Sequence, residues 1–207
     1  YDTYFGNNAD SVVMRYLKSD DTTIQTFFGV LEKEYLGADS IGKNDVTGSF
    51  LPEDISTISV SPDSLKMFYL FDGGDTAIGT IIDLKTQSKT QIFDSSFTQW
   101  LSFWPNTKII TLTTKPSSNI PGYLYSINTD KKDFNKLLGG ITGLTTLMSP
   151  NGGIVLYGDN NLSLFFLNIT TGESIKLGIK TLPEKCVFNI SSDYVYCAVP
   201  KFIDRAQ

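Results

Sequence analysis

Histidine is absent from the 207 residues. That removes every His-based catalytic triad, every imidazole metal ligand and the commonest general base at neutral pH. Arginine occurs only at Arg15 and Arg205, and 17 basic residues face 22 acidic ones, a net charge of −5. A chain so short of cationic side chains lacks the electrostatic footprint that nucleic acid requires, so no nucleic-acid partner is expected. Long hydrophobic runs are missing as well. Runs such as Leu164-Phe165-Phe166-Leu167 fall far short of the roughly 18 apolar residues of a spanning helix, and no membrane span is expected within the chain. Alanine is scarce, with five residues against 22 threonines. What fills the apolar stretches instead is Ile, Val, Phe, Tyr and Thr, which favour pleated backbone. At 41% hydrophobic and 13% aromatic, there is ample material for a core, which excludes disorder.

The expected fold class is therefore all-β. Candidate strands recur as short runs bounded by Gly, Pro, Asn, Asp and Ser: Val12 to Leu17, Thr23 to Leu31, Ile55 to Val60, Lys66 to Phe71 and Ala77 to Leu84. The series continues with Trp100 to Phe103, Lys108 to Thr113, Gly122 to Ile127, Gly153 to Tyr157, Leu162 to Asn168 and Tyr194 to Val199. Several are apolar on both parities, as in Met67-Phe68-Tyr69-Leu70 and Ile154-Val155-Leu156-Tyr157. Such strands need cover on both faces, which a two-sheet sandwich with wet outer faces does not supply. On this ground Trp100, Trp104, Phe68, Leu70, Val155 and Tyr157 are expected to be buried, and the indole N–H of Trp104 then needs a partner.

Two sets of turns expose an internal repeat. The first reads Val60-Ser61-Pro62-Asp63, Phe103-Trp104-Pro105-Asn106 and Met148-Ser149-Pro150-Asn151-Gly152, with a degenerate copy at Asn189-Ile190-Ser191-Ser192-Asp193. The second begins at Asp83, Asn128 and Asn168. Both sets recur every 40 to 45 residues, which is the length of one four-stranded β-propeller blade. The blades read 1–50, 51–96, 97–139, 140–181 and a partial unit 182–207. The opening unit carries only a turn-like Phe5-Gly-Asn-Asn-Ala-Asp-Ser, and Glu32 to Asn44 reads as an insertion in its outer hairpin. Four blades and a half are an awkward number for closing a ring on their own, and the chain does not begin with Met. The expectation is part of a larger propeller, with any leader or anchor outside these residues.

Val60-Ser61-Pro62-Asp63-Ser64 and Met148-Ser149-Pro150-Asn151-Gly152, each followed by a four-residue apolar strand, resemble the SPDG-type repeat of TolB-like, or WD40-like, propellers. Trp104-Pro105-Asn106-Thr107, Thr113 to Asn119, Gly143 to Leu147 and Leu182 to Val187 resemble uncharacterised propeller proteins of candidate-phylum bacteria. That second resemblance implies a cell-envelope setting and attaches no activity. The Gly-His and Trp-Asp signatures of WD40 repeats proper are absent.

Cys186 and Cys197 are the two cysteines. If Ser191-Ser192 forms a two-residue turn, Phe188 faces Val195 and Cys186 faces Cys197 across an antiparallel pair, close enough for a disulfide. A disulfide there points to an extracytoplasmic location, in the cell envelope or secreted. The alternative is a pair of reduced, buried cysteines. Two thiolates without histidine do not make a metal site, Asp72-Gly73-Gly74-Asp75 and Asp159-Asn160-Asn161 offer too few oxygens for calcium, and neither metal nor other cofactor is expected. Phosphate loops, dinucleotide fingerprints and nucleophile elbows are missing.

Carboxylates are the remaining chemistry. Glu53, Asp54, Asp72, Asp75, Asp94, Asp159 and Glu184 fall in or beside loops that a propeller gathers at one end of its sheets. A pair of them could serve a glycoside hydrolase or lyase, and ordinary turn residues would look the same. The reading that best accommodates the whole is a non-catalytic binding or scaffold module for a protein or cell-envelope ligand. Its expected binding residues are Glu53, Asp54, Asp72, Asp75, Lys115, Asn119, Asp159 and Glu184, with Lys115-Pro-Ser-Ser-Asn-Ile-Pro121 as a proline-stiffened loop. The carboxylate-dependent hydrolase or lyase is the alternative.

Overall fold

The computed structural model describes residues 2–6, 9–31 and 46–202, so the expected insertion at 32–44 lies outside the described residues. It divides into two compact units, 1–98 and 99–207. The first unit holds two four-stranded antiparallel sheets. One is β1 (Asp2–Phe5), β2 (Ser11–Leu17), β3 (Ile24–Val30) and β4 (Thr47–Phe50), and the other is β5 (Ile55–Val60), β6 (Lys66–Asp72), β7 (Ala77–Asp83) and β8 (Lys89–Ser95). The second unit begins with the four-stranded sheet of β9 (Trp100–Asn106), β10 (Ile109–Thr114), β11 (Pro121–Asn128) and β12 (Phe134–Thr142). Next comes the sheet of β13 (Thr145–Met148), β14 (Ile154–Gly158), β15 (Ser163–Asn168) and β16 (Ser174–Lys180). The hairpin of β17 (Cys186–Phe188) and β18 (Val195–Cys197) closes the series. Each strand pairs with its sequence neighbours, no ladder crosses from one sheet to another, and no α-helix occurs among the described residues.

Turn chemistry punctuates the strands at the two repeated positions. Between β5 and β6, the Ser61 N–H donates to Lys66 O at 2.9 Å and the Ser64 N–H to Ser61 O at 2.8 Å, with Ser64 left-handed at φ 56°. The Ser61 hydroxyl accepts the Lys66 N–H and donates to Asp63 Oδ1 at 2.6 Å, which ties both ends of the turn. The same pattern recurs at Ser149, with Gly152 at φ 75°, and at Asn189, with Ser192 at φ 65°. Even the opening copy keeps the backbone form, because Gly6 N–H reaches Ser11 O and Ala9 sits at φ 52°. At the second position Asp83, Asn128 and Asn168 each accept two following N–H groups on the side-chain oxygen. The residue four further on, Gln87, Lys132 or Gly172, is then left-handed in each case.

Packing follows the double parity of the strands. In the first unit Met67 and Tyr69 of β6 join Val13, Phe28, Ile55 and Ile82 in one core. Phe68 and Leu70 point to the other side of the same sheet and are equally buried. In the second unit Val155, Tyr157 and Leu167 pack with Leu124 of the preceding sheet and with Leu144 of the connection between the two sheets. Leu156, from the opposite face of β14, packs with Leu164 and Cys186. All six residues expected to be covered, Trp100, Trp104, Phe68, Leu70, Val155 and Tyr157, are buried.

Three expectations require correction. Trp104-Pro105-Asn106 does not form the turn: β9 runs through Asn106 with a bulge, and Thr107-Lys108 makes the reversal. Pro105 is tolerated there because β9 is an edge strand of its sheet. Trp104 is buried but its Nε1 has no hydrogen-bond partner among the described residues. The last hairpin is closed by Asn189 and Tyr194 rather than by a two-residue turn, and β18 ends at Cys197, short of Val199. The register is nevertheless the expected one, with Cys186 opposite Cys197 and Phe188 opposite Val195. The cysteines form a disulfide with Cα atoms 4.0 Å apart.

Candidate binding face

In an antiparallel meander the start of the first strand, the second turn and the end of the fourth strand share one end of the sheet. In the first unit this end carries residues 18–23, 51–54 and 73–76, and in the second 115–120, 143–144, 159–162 and 181–185. The loops are tied to one another. Asp54 N–H donates to Ile24 O at 2.9 Å while Asp54 Oδ1 accepts the Ile24 N–H at 3.0 Å, clamping 51–54 to the end of the 18–23 loop. Glu53 pairs with Lys18. That hydrogen bond raises the Lys18 pKa above its ordinary value, and the charges of Asp20 and Asp54 act in the same direction. Asp20 is itself held well below the usual carboxylate range by the hydroxyl and N–H of Thr23 and the N–H of Thr22. In the second unit Gly143 N–H donates to Ser117 O at 2.7 Å, Asn160 N–H to Thr142 O at 2.9 Å and Thr181 N–H to Leu162 O at 3.1 Å.

The remaining expected residues sort by what their polar atoms do. Asp72 Oδ1 accepts the Gly74 N–H at 2.9 Å, and Asp159 Oδ1 accepts those of Asn161 and Ser163 at 2.9 Å each, so both acids build their turns. Asp75 is exposed at the tip of its turn, and Asp94 is exposed near the end of β8. Lys115 donates its N–H to Gln99 O at 2.9 Å, and the residue is exposed. Asn119 follows an ST-type turn in which Ser117 Oγ accepts the N–H groups of Asn119 and Ile120. Glu184 lies on the surface in the short 3₁₀ turn Pro183–Lys185, 4.0 Å from Lys185. Among the described residues no group of three or more His, Cys, Asp or Glu is arranged to hold a metal ion.

Sequence reasoning missed two parts of these ends. Lys18 and Asp20 belong to the first unit's loops, and the Asp-Asp-Thr-Thr that follows shortly after Lys18 was a legible turn signal. The other is a groove of about 550 Å³ that includes Leu162, Lys180, Leu182 and Ala198 to Pro200. Reading Tyr194 to Val199 as one strand concealed it.

The architecture is that of a β-propeller, of which the chain forms part. Its fold is TolB-like: TolB from Acinetobacter baumannii superimposes on 92% of this chain with a TM-score of 0.61 at 16% identity. Acylaminoacyl peptidase from Pyrococcus horikoshii covers 83% of the chain with a TM-score of 0.58 at 14% identity. The β-propeller domain of the Trilobed protease from Pyrococcus furiosus, described as having an open velcro topology, covers 87% with a TM-score of 0.58 at 11% identity. The chain spans 46%, 31% and 57% of those three proteins. At these identities the likeness defines the fold. No protein-family model and no curated protein matches the sequence. No helix among the described residues is long and apolar enough to cross a membrane.

Proposed function

We propose that the chain is a non-catalytic propeller module that binds a protein or cell-envelope ligand outside the cytoplasm through the loop ends of its two units. In this reading 1–50, 51–96, 97–139, 140–181 and 182–207 are successive blades of one propeller domain. The observation that carries it is the employment of the acids: Asp54, Asp72 and Asp159 spend an oxygen on main-chain N–H groups of their own ends. Such carboxylates act as struts that hold loops in place, which suits a display surface better than proton transfer. The exposed Asp75, Lys115, Asn119 and Glu184 supply the contacts. The Cys186–Cys197 disulfide supports an oxidising compartment.

Charge reversal at exposed positions tests the reading. Asp75→Lys, Lys115→Glu and Glu184→Lys should leave the melting temperature nearly unchanged and abolish retention of an envelope ligand by the immobilised chain. Undiminished retention by all three variants overturns the assignment of these loops. Turnover of chromogenic glycosides that disappears in an Asp→Asn variant of the same loops overturns the non-catalytic reading.

A further inference from the structure

The groove of about 550 Å³ lies in the second unit, where the β14–β15 loop, the end of β16 and the segment after β18 come together. Leu162, Leu182, Ala198, Val199, Pro200 and Phe202 give it an apolar surface, and Lys180 and Lys185 line it as well. It is preformed. Thr181 Oγ1 donates to Ala198 O at 2.6 Å, and the Ala198 N–H donates to Lys185 O at 2.9 Å, fixing the segment after the strand against the loop before β17. Phe202 is nonetheless 88% exposed and Val199 48%, so apolar area is left in water.

Two further features narrow the occupant. Lys180 has no carboxylate within ion-pair distance among the described residues, and Lys185 reaches only Glu184, on the surface. In a chain of net charge −5 this apolar site is therefore bordered by ammonium groups in excess of acids. Beside the apolar surface, the main-chain N–H and C=O of Val199 make no hydrogen bond to the described residues. An acyl chain in so open a groove would keep one side in water and could not use that backbone. An extended peptide uses both.

We propose that this groove docks an extended, apolar segment of a partner protein that carries acidic side chains: the apolar residues cover Leu182, Val199 and Phe202, the carboxylates meet Lys180 and Lys185, and the backbone pairs with Val199. This rests on the binding-module reading and specifies the partner for one loop end.

The test uses the intact chain and a fluorescein-labelled peptide, Leu-Asp-Leu-Asp-Leu-Glu, followed by fluorescence anisotropy at low salt. The counterpart with Lys in place of each acid should bind at least roughly tenfold more weakly, and so should the acidic peptide to the Lys180→Gln, Lys185→Gln double variant. Val199→Glu should cause a comparable loss. None of the three positions is buried, so thermal melts should coincide with the wild type and separate lost binding from lost folding. Absence of binding, equal binding of acidic and basic peptides, or indifference to the lysine pair overturns the proposal. Preferential binding of oleate with displacement of the peptide overturns it in favour of a lipid groove. If envelope-ligand retention depends on Asp75 and Lys115 but the peptide does not bind, the module stands and the groove falls. Lysine-dependent peptide binding without any envelope-ligand retention leaves the groove standing and removes the wider loop assignment.

Discussion

The second repeated turn offers three chemically different residues doing one job. Asp83, Asn128 and Asn168 each cap two N–H groups, but only Asp83 does so with a charge. The N–H of Thr86, foremost, lowers the Asp83 pKa below its ordinary 3.8. A depressed carboxylate contributes stability that is fully present above the unfolded pKa and is lost as pH falls through the folded one. Asp83→Asn should therefore cost at most about 1 kcal/mol at pH 7, and the gap between variant and wild type in thermal melts should close on acidification below pH ~4. A gap independent of pH would mean that the charge plays no part. The left-handed position four residues on gives a second comparison. Gly172 sits there with open space where a β-carbon would go, whereas Gln87 and Lys132 tolerate φ 61° with side chains attached. Gly172→Ala should lose about 1 kcal/mol, and Gln87→Gly should lose nothing or gain up to about 1 kcal/mol, as read by denaturant unfolding.

At the scale of elements, the disulfide joins two three-residue strands that have only each other in their ladder. A two-stranded sheet is marginal without other support, and a closed loop of this size is worth about 3 kcal/mol by chain entropy. The loss in a Cys186→Ser, Cys197→Ser variant should thus be local, with hydrogen exchange accelerating over 186–198 far more than in β14 or β15. Uniform acceleration across the second unit would show that the hairpin is integral to that unit's cooperativity. The register was readable in the sequence because side chains alternate with a period of two, so that one pairing of turn residues fixed every partner down to the cysteines. The period of the repeats was readable because left-handed and capping positions demand a short list of residues. Trp104-Pro105 misled because Pro marks a turn only when the strand needs its N–H. On an edge strand that donor is dispensable, and the chain passed straight through. The outer strands β4, β12 and β16, largely exposed, carried too little apolar pattern to be seen.

For the molecule as a whole, the last hairpin leaves β18 with one edge unpaired among the described residues and with Val187 and Tyr196 exposed at 61% and 64%. In a four-stranded meander that edge is the one a third strand takes, as β15 does beside β14. The candidate face was legible only in part. Acids in turns announced themselves by composition, but whether an acid is a strut or a contact depends on which N–H groups the backbone aims at it, as at Asp54 and Asp159. The groove depends on where β18 stops, beside Ala198, whose main chain is held by the Thr181 hydroxyl and the Lys185 carbonyl. One last feature concerns time. Asn106 Nδ2 donates to Pro150 O at 3.1 Å, and the Asn151 N–H to Ser192 Oγ at 3.1 Å, so in the second unit each turn is fastened to its counterpart one repeat later. On a ribosome each fastening must wait for about forty more residues to emerge. Its donor stays hydrated until then, and a pause in translation between repeats leaves the newest sheet with that clasp still open.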